Sequence, residues 1–493
     1  MRARTQRAVA LLLVGLSLGI AGEALQLWVP DRLNFALWVA TTLLGATALI
    51  RIGALTALAP ARWLAIAAWV TIPCLIWRDS AVLFGLNFLW CGVLLVIVTA
   101  TSEVESHGRL PVSALVRGAI RVALGILLGP LPALAGDIGW GELPEAGRAR
   151  RLASVGIGLV AAIPVLAVFG ALLGSADPLF AESMARAFSF DLLREVDHLF
   201  RIGLFGWIGV GILRSGFWLE GRLPLPTLPR PALPPAIVVT FVSAIGGLLA
   251  VFVGFQAGEL FLSAAEFQAT MGMTISEYAR KGFFEMVAVA ALSLPILYFA
   301  DWCLDSRERI AVVRFHRLTA AVIILLALIL ASAFYRMVLY QSFYGLTEQR
   351  FYTLAFMLLL AGVFGWFGAT VLRSRRSRFM PGALAGALLV LLMLNVTNPD
   401  GMIARVNLER AIHGAPLDRD YLVGLSADAV PTILASVSSL TEADRCLLVE
   451  GLRSRWGAGS RATGEWDVAR RVAARALEEI RVPTPGCTAP GTR

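Results

Sequence analysis

Two ionisable side chains sit inside apolar runs that would exclude them. Glu285 follows Gly282-Phe283-Phe284, and Arg336 lies in Phe334-Tyr335-Arg336-Met337-Val338, each about one turn into a run long enough to cross a bilayer. An unpaired charge at mid-depth costs roughly 2.5–3.5 kcal/mol on the insertion scale and less near the interface, so each needs a partner or water. Other polar groups gather at the same level. Glu277 and Arg280 precede the first run, Tyr340 and Tyr344 follow the second, Arg350 opens the next, and Asn398 and Asp400 follow the last. Two readings fit this cluster. One is a polar clamp that locks helix ends, with Glu285 paired to Arg336. The other is an outward-facing site for an anionic or zwitterionic ligand, with Arg336 and Arg350 as planar donors.

Other chemistries find little support. Asp197 and His198 are adjacent, but neighbours on a helix point about 100° apart, which does not make a base with its orienter. Neither G-x-x-x-x-G-K-[ST] nor H-E-x-x-H occurs. The four histidines are scattered and no two of the five cysteines form C-x-x-C, so no metal site or cofactor is expected and no catalytic residue is assigned. A transporter would call for a carboxylate at mid-span, and none is evident.

These groups need a frame. The chain has 493 residues, 58% hydrophobic and 16% charged, with mean hydropathy +0.74. A soluble domain carries about a quarter charged residues, so bilayer is the natural solvent for this excess. The net charge of +9 does not indicate nucleic acid, because the basic residues lie mainly in short loops between apolar runs. The expected fold is all-α: a polytopic bundle of eleven spans over 1–395 and a water-exposed helical domain over 396–493, loose at 482–493. The spans are 8–29, 33–50, 61–77, 80–100, 152–174, 199–218, 235–255, 282–302, 318–338, 349–372 and 379–395. The first also resembles a signal peptide, with Arg2, Arg4 and Arg7 ahead of its apolar run.

Segment 114–136 is apolar but carries Arg117, Arg121 and Gly129-Pro130-Leu131-Pro132. Its clean apolar run is short for a span, which suggests an interfacial helix or a re-entrant segment. The Pro-rich stretch 219–235 reads as a stiff inside linker. With the N-terminus inside, the inside loops hold more than twice the basic residues of the outside ones, and an odd span count puts the tail outside. There Cys446 and Cys487 are the two cysteines able to pair. Gly170/Gly174 and Gly382/Gly386 suit close internal packing of helices or a dimer face. Thr441 with Asp444 predicts a helix start ahead of Leu447, Leu448 and Leu452.

Several strings then act together: Ser175-Ala176-Asp177-Pro178-Leu179-Phe180-Ala181, Glu277-Tyr278-Ala279-Arg280-Lys281-Gly282-Phe283-Phe284, Tyr344-Gly345-Leu346-Thr347, Asn398-Pro399-Asp400 running to Ala404-Arg405 and Asn407, and Leu417-Asp418-Arg419-Asp420-Tyr421-Leu422. The chain resembles a bacterial multi-pass membrane family known only as a domain of unknown function. That resemblance implies a bacterial inner membrane, with the N-terminus cytoplasmic and the tail periplasmic, and it supplies no mechanism. The expected role is an envelope scaffold or accessory protein whose partners are the bilayer and an envelope protein bound through 396–493. The alternative is a transporter, flippase or membrane enzyme using the outer polar cluster.

Overall fold

The computed structural model describes residues 3–29, 31–55, 61–101, 111–140, 190–217, 233–260, 282–304, 308–457 and 467–480, with parts of 158–182. The described residues are helical, apart from turns and one isolated bridge between Leu233 and Leu304. In chain order the long helices are α1 (Ala3–Ala24), α2 (Arg32–Arg51), α3 (Ala61–Trp77), α4 (Ala81–Thr101), α5 (Val112–Leu128), α6 (Phe190–Phe217), α7 (Pro235–Leu260), α8 (Phe283–Cys303), α9 (Arg309–Tyr344), α10 (Glu348–Thr370) and α11 (Phe379–Thr397). The tail adds α12 (Pro399–Ile412), α13 (Arg419–Gly424), α14 (Val430–Ser436), α15 (Glu442–Trp456) and α16 (Val468–Glu479).

Among the described residues nine helices are long and apolar enough to cross a membrane: α1, α2, α4, α6, α7, α8, α9, α10 and α11. Their outward faces are apolar, with Leu44, Leu89, Leu248, Leu292 and Leu358 all more than half exposed. Water would not tolerate such a surface, and lipid does. The chain is therefore an all-α multi-pass membrane protein. Of the eleven expected spans, 61–77 corresponds to α3, a 17-residue helix at the short end for a crossing. Segment 152–174 lies largely outside the described residues, as do most of 219–235 and all of 482–493.

The described bundle has two ends, the amino-terminal end, where α1 starts, and the tail end, where α11 meets α12. One core is built by α7 to α11, with Phe315, Leu326, Ile329, Met357 and Phe367 nearly inaccessible. A second joins α1, α2 and α6 through Ala8, Leu11, Leu49 and Leu213. The α1–α6 crossing is close because its contact residues are small. Gly15, Gly19 and Gly22 face Val210, Ile202 with Gly206, and Phe205, and a Cβ on any of the three would overlap its neighbour. Of the glycine pairs named from sequence, Gly382 packs on Trp366 inside the chain, while Gly170 and Gly386 face open space.

Helix α5 enters and leaves at one end. Its start is packed on the end of α4, where Gly118 meets Val96 and Ala100. Gly125 then meets Gly211 and Ser215 of α6, and Gly129 meets Trp207, one to two turns back toward the start of α6. Gly129 has φ +50, a conformation that costs other residues more, and it turns the chain. The Trp207 indole N–H lies 3.2 Å from the Ile126 and Leu127 carbonyls that end α5. A π-helical turn, Ala133–Asp137, leads back. The buried Asp137 carboxylate then accepts from Arg4 (2.6 Å) and Arg214 (2.9 Å), at the start of α1 and the end of α6.

Candidate functional site

The densest polar construction joins the tail to the membrane helices, and apart from Asn398 and Asp400 it is built on residues that look like ordinary loop charges in the sequence. Helix α3 ends at Trp77 and α4 begins at Ala81, leaving Arg78-Asp79-Ser80 as a tight connection. Such a loop would normally meet water. Here Asp79 is 5% exposed and Ser80 1% exposed, because the tail closes over them.

Each Asp79 oxygen is used. Arg470 Nε of α16 donates to Oδ1 at 2.9 Å, and the Ala427 amide donates to Oδ2 at 3.0 Å. The Asp79 amide donates back to Asp428 Oδ2 at 2.6 Å. Arg78 reaches three groups: Asp428 Oδ1 at 3.1 Å, the Asn395 carbonyl at 2.7 Å and the Val396 carbonyl at 3.2 Å. The last two carbonyls end α11, where a cation complements the helix dipole. Arg32, at the start of α2, donates to the Arg78 and Asp79 carbonyls and approaches Asp467 Oδ2 at 3.8 Å. Asp467 caps α16 by accepting from the Ala469 and Arg470 amides. Ser80 and Tyr352 share a hydroxyl contact at 3.1 Å.

Below this lock, Asn87 of α4 and Asn395 of α11 exchange amide hydrogen bonds at 3.1 and 3.2 Å in an apolar setting. A side-chain amide buried among helices needs such a partner. Asn398 has φ +52, caps α12 by accepting from Gly401, and donates to the Asp428 carbonyl. Asp400 is fully buried and accepts from Ser426.

Among the described residues the lock holds four carboxylates (Asp79, Asp400, Asp428, Asp467) and three guanidiniums (Arg32, Arg78, Arg470). Burial, with Glu348 and Asp428 nearby, pushes the Asp400 carboxyl up to about 6. Burial and the Asp79 charge do the same for Asp467, also to about 6. Asp428 is raised by burial as well, although Arg78 opposes the shift.

A second grip holds the α9–α10 loop. Asn407 of α12 donates to the Leu346 carbonyl (2.7 Å) and accepts from its amide (2.9 Å). Arg410 donates to the Phe343 carbonyl (2.8 Å), at the end of α9. Gly345 has φ +75, and a Cβ there would overlap Asn407 and Arg410. The glycine of the Tyr344-Gly345-Leu346-Thr347 string is therefore needed for both the turn and the docking. Tyr421 Oη accepts from the Glu348 amide at 2.9 Å.

The described residues among those named from sequence are divided among four places. Asn398 and Asp400 belong to the lock. Tyr340, Tyr344 and Arg350 form a stack beside the α9–α10 loop, with Arg350 4.2 Å over the Tyr340 ring and the two tyrosine rings 4.9 Å apart. Arg336 is buried in the α9 face, and Glu285 is exposed on α8. No ion pair joins Glu285 to Arg336, which corrects the pairing expected from their depth. One looks outward from the bundle and the other into it. Glu277 and Arg280 lie outside the described residues.

At the amino-terminal end Asp301 is buried against Arg376 (3.1 Å) and His316 (3.5 Å), tying α8 to α9 and to the start of α11. His198 pairs with Glu23, not with Asp197, which instead pairs with Arg201. A G-x-S-x-G string, Gly15 to Gly19, lies inside α1. Ser17 donates to the Leu13 carbonyl there, so the string is helical and not the strand-to-helix elbow of a hydrolase. Among the described residues no group of three or more His, Cys, Asp or Glu is placed to hold a metal ion. Cys446 is disulfide-bonded, while Cys74, Cys91 and Cys303 are in no disulfide. The fifth cysteine, Cys487, lies outside the described residues.

Comparison with curated proteins and with solved structures finds no match. A family model described as a domain of unknown function, DUF4153, matches residues 65–435, from α3 through α14, and the chain belongs to that family.

Proposed function

We propose that this multi-pass membrane protein is an envelope scaffold that presents a helical platform on the periplasmic face of a bacterial inner membrane. The observation that carries the reading is the burial of Arg78-Asp79 under the tail. A tail that acted as a tethered recruitment arm would need a linker. This one follows α11 after a single residue, Asn398, and is bound at two interhelical loops besides. Each buried carboxylate is held by guanidiniums, backbone amides or a hydroxyl, an arrangement that suits holding shape more than moving a proton or a substrate. The excess of basic residues in the amino-terminal-end loops supports a cytoplasmic N-terminus and a periplasmic tail.

The test is photo-crosslinking from the intact protein in cells. A crosslinking residue at Met402 or Val472, both exposed on the tail, is expected to give a discrete protein adduct. The same residue at Leu292, on the lipid-facing side of α8, is expected to give none. Lipid adducts or no adducts from both tail positions would sink the scaffold reading.

A further inference from the structure

Where α8 begins, α9 ends and α10 begins, a cleft of about 490 Å³ opens beneath the tail. Its volume is in the range of small-ligand sites, roughly 300–1,000 Å³. Its floor is apolar and aromatic: Phe283, Phe284, Met337 and Tyr340. Its lip is polar and comes from Glu348, Arg350 and Tyr421. Phe283 opens a membrane-crossing helix and Met337 lies near the end of another, so the floor is at membrane depth and the lip at the membrane boundary.

The two charges at the lip do not neutralise each other. Glu348 and Arg350 are two positions apart in the first turn of α10, where side chains at i and i+2 diverge, and no ion pair joins them. The Arg350 guanidinium is fixed from one side. Its Nη1 donates to the Gly345 carbonyl at 2.5 Å and the Tyr344 carbonyl at 3.3 Å, and its plane rests on Tyr340. Nε and Nη2 have no acceptor among the described residues. The Glu348 backbone amide is held by Tyr421, but its carboxylate makes no hydrogen bond or ion pair with any described residue. A rigid cation edge and a free carboxylate therefore share one cleft above an aromatic floor. The first-turn amides of α10 add to the attraction for an anion.

We propose that this cleft binds a lipid whose headgroup carries both a phosphate and an ammonium, with phosphate on Arg350, ammonium on Glu348, and the upper part of an acyl chain against Phe283, Phe284 and Met337. An anionic lipid satisfies only Arg350. A neutral diacylglycerol satisfies only the floor. A free headgroup satisfies only the lip.

The full-length protein in detergent, analysed by native mass spectrometry, separates these cases. The probes are phosphatidylethanolamine, phosphatidylglycerol, diacylglycerol and glycerophosphoethanolamine, each added at matched concentration. Phosphatidylethanolamine is expected to be retained most strongly and glycerophosphoethanolamine hardly at all. Glu348→Gln is expected to lower retention of phosphatidylethanolamine about tenfold, the value of one charge-assisted hydrogen bond, and to leave phosphatidylglycerol unchanged. Arg350→Gln should lower both. Because Arg350 also caps α9, Arg350→Lys serves as the folding control and is expected to keep part of the binding. Glu348→Gln disturbs no described side-chain contact, so its result stands even if the Arg350 variants are unstable. Equal retention of both phospholipids by the wild type and by Glu348→Gln would mean nonspecific boundary lipid and would overturn the proposal. Strong binding of the chain-free headgroup would overturn the lipid assignment.

Discussion

Arg470 donates to Asp79 at 2.9 Å although the two stand 391 positions apart, one in the last described helix of the tail and the other in the connection between α3 and α4. Asp79 is 5% exposed and also receives the Ala427 amide, so its loss strands two donors and the loss of Arg470 strands one acceptor. Removing one partner of a buried pair costs about 3–5 kcal/mol when the charge left behind stays buried and uncompensated. Arg470→Gln leaves the buried Asp79 carboxylate in that position and should therefore lower thermal stability in detergent by the larger amount. Asp79→Asn leaves Arg470, a side chain about a third exposed, which can turn to water, and should cost less. The double variant should lose less than the two single losses combined. Strict additivity would mean that the two residues do not stabilise each other.

Proton uptake by the lock gives a second expectation. Asp400 and Asp467 are each pushed up to about 6 from an ordinary value near 3.8. Between about 4 and 6 the folded chain keeps protons that the unfolded chain has released. Folding stability therefore falls as pH rises through that window and is lowest above it, by roughly 2–3 kcal/mol per group. Asp467→Asn keeps the α16 cap, since asparagine caps as well as aspartate. Relative to wild type, Asp467→Asn and Asp400→Asn should gain stability at pH 8 and show little gain at pH 4.5. Melting curves across pH 4.5–8 check the sign. A wild-type difference that grows toward acid would contradict it.

The α5 hairpin should open to one side of the membrane only. Cysteines at Ser113 and Gly141, flanking the hairpin, are expected to react together with an impermeant maleimide from one side of the membrane and to be shielded together from the other. Reaction of Gly141→Cys alone from either side would show that the segment crosses. Asp137→Asn, which strands Arg4 and Arg214, should lower stability by about 3 kcal/mol or more.

Cysteine counting tests the tail. The chain has five cysteines, of which Cys74, Cys91 and Cys303 are in no disulfide and Cys446 is in one. Alkylation of the denatured chain without reductant should modify three thiols, and with reductant five. Modification of all five without reductant would rule out a Cys446–Cys487 bond.

Composition and hydropathy were enough to place this chain in a bilayer and to locate the nine long apolar helices found among the described residues. The reason is local: a run of about 20 apolar residues has few stable fates, and a helix that satisfies its own backbone in lipid needs no partner. The Thr441 cap of α15 was readable for the same reason, since Thr441 and Asp444 meet within one turn. The short run of 114–136, with its prolines, signalled an unusual segment. Only the packing of Gly118 and Gly125 and the return of Asp137 to Arg4 and Arg214 described its path.

Beyond Asn398 and Asp400, the lock was not legible. Arg32, Arg78 and Asp79 look like ordinary loop charges, and Asp428, Asp467 and Arg470 like surface residues of a polar tail. Depth in the sequence pointed instead to Glu285 and Arg336, because hydropathy reports how far a residue lies along a helix and not which way it faces. A charge one turn inside a span can look outward, as Glu285 does, or into the bundle, as Arg336 does. Which loop lies beneath the tail depends on how α3, α4 and α11 pack side by side, and no periodicity within a single helix records that.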